Sequence, residues 1–167
     1  FEYSEKYGTP VFLRPTTRVC HGYASIMVKD ETEYTHHQPE GFIKDSKRWV
    51  IFPRLSFMNH KKIEARNQEL SDIFSSYEKN TIHPSCDAFK DSKKGIATGG
   101  ISYTYTMETL KKTGMVKTLK IATPHPFPEK LAVDFLSGLD EVLCLEELDP
   151  VIERELIYIC GKYLMEQ

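Results

Sequence analysis

Arg14 and Arg18 flank the hydroxyls of Thr16 and Thr17, and His21 follows three residues beyond Arg18. A guanidinium is planar, always charged, and binds a carboxylate or a phosphate through two parallel N–H donors. Two of them beside two hydroxyls and an imidazole can complete an oxyanion-binding loop. The same side chains can equally form a polar loop that pairs with another domain, and on the residues alone both readings stand.

Other residues with chemical potential are more ambiguous. Gly99-Gly100 lies between an apolar run and a helical pattern, where backbone N–H groups at a helix start can hold a phosphate. The dinucleotide fingerprint G-x-G-x-x-G with its downstream acid is not arranged here, so we read the glycines as permitting a tight turn. Glu146-Glu147 ends an apolar run, on the side where α/β sheets place ligands. Paired carboxylates can do acid–base work, yet without metal ligands nearby they read as a helix cap or a contact with a neighbouring domain. His36-His37 sits in a polar stretch and reads as solvated, and His125, between Pro124 and Pro126, as shaping a turn. Cys20, Cys86, Cys144 and Cys160 form no C-x-x-C pair, so reduced thiols without a metal are expected, in a reducing cytoplasm.

The elements that must position these groups are legible from periodicity. Residues 95–98, 117–121 and 142–145 are short apolar runs, each followed by a turn and a helical pattern, which is how a parallel α/β sheet alternates with its covering helices. Pro128 and Pro150 suit first helical positions, and Asp149 suits an N-cap. Leu131, Phe135 and Leu136 in one helix, and Ile152, Leu156, Ile159 and Tyr163 in the next, fall on one stripe each. A long helix with a narrow apolar side is expected over residues 55–77, carrying Ile63, Leu70, Phe74 and Tyr77. Residues 79–92 read as a linker. At the start, residues 1–8 look like a helix end stopped by Gly8, and Pro10-Val11-Phe12-Leu13-Arg14 like a strand with no sheet to join, as though the chain were part of something longer.

Bulk properties exclude several classes. With 167 residues, 40% hydrophobic, 28% charged and a net charge of −2, the composition is that of an ordinary globular protein. The scattered cations provide no field for nucleic acid. No apolar stretch approaches the roughly 20 residues that span a bilayer, and no signal peptide is recognised.

Taken together, three ordered segments resemble the α subunit of indolepyruvate ferredoxin oxidoreductases. The run Pro10-Val11-Phe12-Leu13-Arg14-Pro15-Thr16-Thr17-Arg18-Val19-Cys20-His21 is similar to the end of that family's pyrimidine-binding domain. The segment from Gly41-Phe42-Ile43-Lys44-Asp45 into Arg48-Trp49-Val50-Ile51-Phe52-Pro53 is similar to its linker. Gly95-Ile96-Ala97-Thr98-Gly99-Gly100-Ile101-Ser102-Tyr103, Thr123-Pro124-His125-Pro126-Phe127-Pro128 and Asp140-Glu141-Val142-Leu143-Cys144-Leu145-Glu146-Glu147-Leu148-Asp149-Pro150 resemble its transketolase C-terminal-like domain.

The resemblance implies an α/β fold, a three-layer parallel sheet of the transketolase C-terminal-like type preceded by a long linker helix. The implied domains are residues 1–30 at the end of an upstream thiamine pyrimidine-binding domain, 31–92 as linker, and 93–167 as a C-terminal-like domain lacking its last strand or strands. For the intact enzyme it implies thiamine diphosphate, magnesium and 4Fe-4S clusters, a β subunit and ferredoxin as partners, and oxidative decarboxylation of aryl pyruvates to aryl-acetyl-coenzyme A. The family's activating glutamate, diphosphate site and cluster cysteines have no counterparts here, so catalytic residues and cofactors are expected outside this chain. The loop Arg14, Thr16, Thr17, Arg18 and His21 is the implied contact for a 2-oxo acid carboxylate or coenzyme A. A non-catalytic α/β interaction or dimerisation module, or a small nucleotide- or coenzyme-A-binding domain, are the rival readings, because fold alone does not fix function.

Overall fold

The computed structural model describes residues 1–34, 39 and 41–163. His36 and His37 lie outside the described residues. Contacts divide the chain into two units: Phe1–Phe12 with Glu64–Gln167, and Leu13–Ile63.

In the first unit, four strands form one sheet: β1 (Thr81–His83), β2 (Lys94–Gly99), β3 (Lys117–Ile121) and β4 (Glu141–Leu145), in the order β1-β3-β2-β4. β2 pairs parallel with both β3 and β4, whereas β1 pairs antiparallel with β3 through Thr81↔Lys120 and His83↔Thr118. The three parallel strands thus fall where the apolar runs place them, extended by a residue at β2 and β4 ends. β1 falls in the stretch read as a linker. Three residues are too few for an alternation to register, and the strand exists only because β3, far downstream in the chain, offers it an edge, Ile82 facing Leu119 at the middle of the pairing.

Helix α5, which in chain order follows the helices α1 (Glu2–Tyr7), α2 (Thr17–Cys20), α3 (Ser46–Trp49) and α4 (Pro53–Ser75), covers Gly100–Thr113 and links β2 to β3. α6 (Glu129–Leu136) links β3 to β4, and α7 (Val151–Tyr163) follows β4. Because β3 and β4 flank β2 on opposite sides, right-handed crossovers send α5 and α6 to opposite faces of the sheet. The result is the mostly parallel α/β arrangement expected from the resemblance.

The main core lies between the sheet and the α6/α7 layer. Ala97, Leu119 and Ile121 from the strands meet Ala132, Phe135, Leu136, Ile152, Leu156 and Ile159 from the helices. Full burial of a side chain such as Phe135 or Leu119 contributes about 1.5–3 kcal/mol. Tyr163, expected on the same stripe, is instead exposed near the end of the described chain. Strand alternation turns Thr98 and Thr118 to the α5 face. Both are fully buried and satisfied, Thr98 donating to the Leu145 carbonyl at 2.9 Å and Thr118 to that of Val116 at 2.6 Å.

α1 ends at Gly8, whose φ of +56° is the left-handed conformation that favours glycine. Its Tyr3 ring lies 5.6 Å from Phe74 and 6.0 Å from Tyr77, and the Arg66 guanidinium donates to the Gly8 carbonyl at 2.9 Å. Of the apolar side expected for α4, Leu70 is buried and Phe74 joins the aromatic packing with Tyr77, which lies just past the helix end, whereas Ile63 is exposed.

In the second unit no described residue is buried. Residues 10–14, expected as a strand and divided between the two units after Phe12, join no ladder. Pro10 and Pro15 bracket the run and neither has an N–H to donate, which denies it a continuous pairing edge.

Candidate functional site

The sequence-predicted site lies in the second unit. The backbone runs extended through Arg14 and Pro15 and then winds into the single turn α2, begun by Thr16 at φ −73° and ψ 159°. Cys20 donates to the Thr16 carbonyl at 3.0 Å and His21 to that of Thr17 at 3.1 Å. This turn carries Thr17 and Arg18, with His21 directly after its last residue, and leaves Arg14 on its extended approach. Arg14, Thr17, Arg18 and His21 are exposed, while Thr16 is half-buried with its Oγ1 shielded from solvent and without a hydrogen-bond partner in the structure. A short exposed turn carrying two guanidiniums can bind an anion brought to it by another surface. By itself it encloses nothing.

The other candidates are absorbed by structure in the first unit. Glu146 Oε1 accepts from the Ile152 N–H at 2.7 Å and Oε2 from the Glu153 N–H at 3.0 Å. One carboxylate thus satisfies two orphan donors at the start of α7 and complements its dipole. The cap expected of Asp149 is made by Glu146 instead. Asp149 contributes its carbonyl, which accepts from Val151 N–H at 2.9 Å, because Leu148 takes a positive φ of 65° and turns the chain back. Both Pro128 and Pro150 stand immediately before the first helical residue rather than at it.

A Cβ on Gly99 would stand 2.7 Å from the Ile121 carbonyl oxygen. Glycine at 99 is thus required for the close approach of β2 to β3, a reason other than the tight turn read from the sequence, and it is Gly100, at φ +56°, that takes the left-handed turn conformation. His125 precedes Pro126 through a cis peptide bond. Cys144 is half-buried, and burial, reinforced by the charges of Glu153 and Glu146, pushes its thiol up to about 11.

One polar cluster escapes sequence reading. Tyr103 Oη lies 3.0 Å and Thr81 Oγ1 3.3 Å from His83 Nε2, the two rings stack at 5.8 Å, and Lys120 Nζ lies 4.7 Å over the Tyr103 ring. Tyr103 and His83 are 20 residues apart. Only the antiparallel β1–β3 pairing brings them onto the α5 face, and no local spacing signals it.

Among the described residues no three His, Cys, Asp or Glu side chains converge to hold a metal ion, and none of the helices is long and apolar enough to cross a membrane. The described residues thus offer no ligand set that fits a magnesium–diphosphate or iron–sulfur site.

The fold and the surfaces so far described define an α/β domain preceded by a long helix and an extended, exposed segment. Neither a family model nor a solved structure matches the chain. It is similar to indolepyruvate oxidoreductase subunit IorA of Methanothermobacter thermautotrophicus, 36% identical over 163 residues, which is 96% of this chain and 25% of that protein. The subunits IorA of Pyrococcus abyssi and Pyrococcus horikoshii are 35% and 34% identical, each over 93% of this chain and 24% of theirs. The chain thus spans about a quarter of the length of the curated relatives it matches, and over that span it belongs to the indolepyruvate oxidoreductase subunit IorA family.

Proposed function

We propose that this chain is the part of a 2-oxo acid oxidoreductase α subunit that supports and borders the active centre without carrying it. The intact enzyme, in this reading, oxidatively decarboxylates indolepyruvate and related aryl pyruvates to aryl-acetyl-coenzyme A and passes the electrons to ferredoxin. Thiamine diphosphate, magnesium and 4Fe-4S clusters supply the carbanion and electron-transfer chemistry from other segments and a β subunit. The observation that carries the reading is a match over nearly the whole chain to several IorA subunits at 30–36% identity.

Within that assembly each unit has a distinct task. The α/β unit is a rigid body whose core fixes the ends of its strands. The turn Arg14–His21 orients a carboxylate or a coenzyme A phosphate through Arg14 and Arg18, with Thr16, Thr17 and His21 beside them. The test is an anaerobic assay of the subunit bearing this segment, purified with its β subunit. Ferredoxin reduction that requires both indolepyruvate and coenzyme A is expected, and turnover indifferent to coenzyme A would overturn the assignment.

The rival interaction-module reading has one observation in its favour. Tyr23, Phe42 and Met27 of the second unit are each more than nine-tenths exposed, a display of apolar side chains suited to covering another protein surface. Scaffold and catalytic assembly are compatible, and the coenzyme A requirement separates them.

A further inference from the structure

The polar cluster between β1, β3 and α5 has hydrogen-bond donors to spare. His83 Nε2 has two hydroxyl neighbours, Tyr103 Oη at 3.0 Å and Thr81 Oγ1 at 3.3 Å, and an imidazole nitrogen offers only one in-plane position, a lone pair or a proton. If it accepts, one hydroxyl alone can donate to it. If it donates, neither can. In both tautomers at least one hydroxyl proton points away from His83, and among the described residues neither hydroxyl has another partner. Lys120 adds a full charge to this surplus. It stands directly opposite Thr81 across the β1–β3 pairing, its Nζ lies 4.7 Å over the Tyr103 ring, and among the described residues no carboxylate pairs with it. All four side chains are half-buried, partly withdrawn from competing water.

The position of the cluster is that of a ligand site. Tyr103 lies in the first turn of α5, directly after β2, and Lys120 is the second-last residue of β3, so the group stands at the carboxyl edge of the parallel strands. Tyr103 also borders a hollow of about 430 Å³ along α5, shared with Thr104, Met107, Glu108 and Lys111. Glu108 is offset there by Lys112 at 3.6 Å, which leaves Lys111 to set the sign of the local field. We propose that Thr81, Tyr103 and Lys120, with His83 holding the Tyr103 ring by stacking at 5.8 Å, bind the phosphate of an organic phosphomonoester whose body occupies the hollow beside Met107. Donors without acceptors call for an oxyanion. Phosphate suits them better than carboxylate, because its three terminal oxygens can meet an ammonium, a phenol and a threonine hydroxyl together. Lysine binds phosphate as a point charge, whereas the planar carboxylate is matched best by the fork of an arginine. The site is built from the first unit alone and is assigned independently of the Arg14–His21 turn.

The test is calorimetric titration of the 167-residue chain with phenyl phosphate, inorganic phosphate and phenylacetate. It is run at about pH 7.5, where a phosphomonoester with its second pKa of about 6 is mostly dianionic. Phenyl phosphate should bind at least about tenfold more tightly than phenylacetate, and more tightly than inorganic phosphate, which has no body to fill the hollow. Lys120→Met keeps an unbranched stem but removes the charge, and should weaken phenyl phosphate at least about tenfold. Should that variant not fold, Tyr103→Phe reads the same contact, since it keeps the ring stacked on His83, loses the phenol, and should weaken binding about threefold to tenfold. In amide NMR spectra the titration should shift Thr81, His83, Tyr103 and Lys120. No binding of phenyl phosphate, equal binding of phenyl phosphate and either comparison anion, or full affinity in the folded variants overturns the proposal. So do shifts confined to residues 14–21, which would place the phosphate on the arginine turn instead.

Discussion

Asn80 Oδ1 accepts the backbone N–H of Ala122 at 2.7 Å, across 42 residues of chain. The same oxygen accepts from Thr123 N–H at 3.2 Å, and the amide nitrogen donates to the Phe74 carbonyl at 2.9 Å and to Thr123 Oγ1 at 2.6 Å. Asn80 is 5% exposed, so one side chain ties the end of α4, the start of β1 and the turn after β3 together out of water. Each partner left unsatisfied after truncation costs about 1–3 kcal/mol. Asn80→Ala is therefore expected to lower unfolding free energy by about 2–4 kcal/mol. Urea denaturation reads this as a fall in midpoint, and an unchanged midpoint would show that water replaces the side chain at no cost.

Gly99→Ala tests the close approach of β2 to β3. The added Cβ meets a backbone carbonyl at 2.7 Å, which cannot swing aside as a side-chain tip can. Overpacking of this kind costs about 1–3 kcal/mol. Thermal melting should show the loss, and a variant as stable as the parent would mean that the strands separate freely at this point.

The Cys144 thiol yields a reactivity and a pH prediction. With its pKa near 11, only about a thousandth is thiolate at pH 8. Alkylation at pH 8 should modify exposed Cys20 well before Cys144. The sign of the stability effect follows from linkage. The folded thiol holds its proton at a pH where the unfolded one has lost it, so this group's contribution to stability is present below the ordinary thiol pKa. It is lost as pH rises from about 9 toward 11. Cys144→Ala should flatten that part of an alkaline stability profile, and equal slopes for the two proteins would refute the assignment.

Arg14→Lys and Arg18→Lys test the proposed carboxylate or phosphate contact in the assembled oxidoreductase. Lysine keeps the charge but loses the planar fork, so a bidentate contact should weaken by about 1.5–3 kcal/mol, the scale of hydrogen bonds to charged groups. Steady-state kinetics should show kcat/KM falling for indolepyruvate or for coenzyme A. If neither value moves in either variant, the turn pairs with another domain instead.

Calorimetric titration of the 167-residue chain with thiamine diphosphate and magnesium should detect no micromolar binding, because the described residues present no converging metal ligands. Tight binding would place the cofactor site on this chain.

The sequence by itself determined the three parallel strands and the helices α6 and α7. The strands stand out as short apolar runs between turns and the helices by apolar residues at a period of 3.6, and both signals are local, whatever the element packs against. It also carried the family resemblance through Gly99-Gly100 and the run 140–150. Tertiary structure alone decided what depends on partners distant in the chain. β1 is too short to alternate and exists through β3, whereas residues 10–14 carry a continuous apolar run, Val11-Phe12-Leu13, yet find no edge between two prolines. Glu146 displaces Asp149 as the cap of α7 because the positive φ at Leu148 carries its carboxylate back to the helix start, a geometry no spacing rule encodes. The order β1-β3-β2-β4 was illegible for the same reason, because strand order is a property of the folded sheet rather than of any window along the chain.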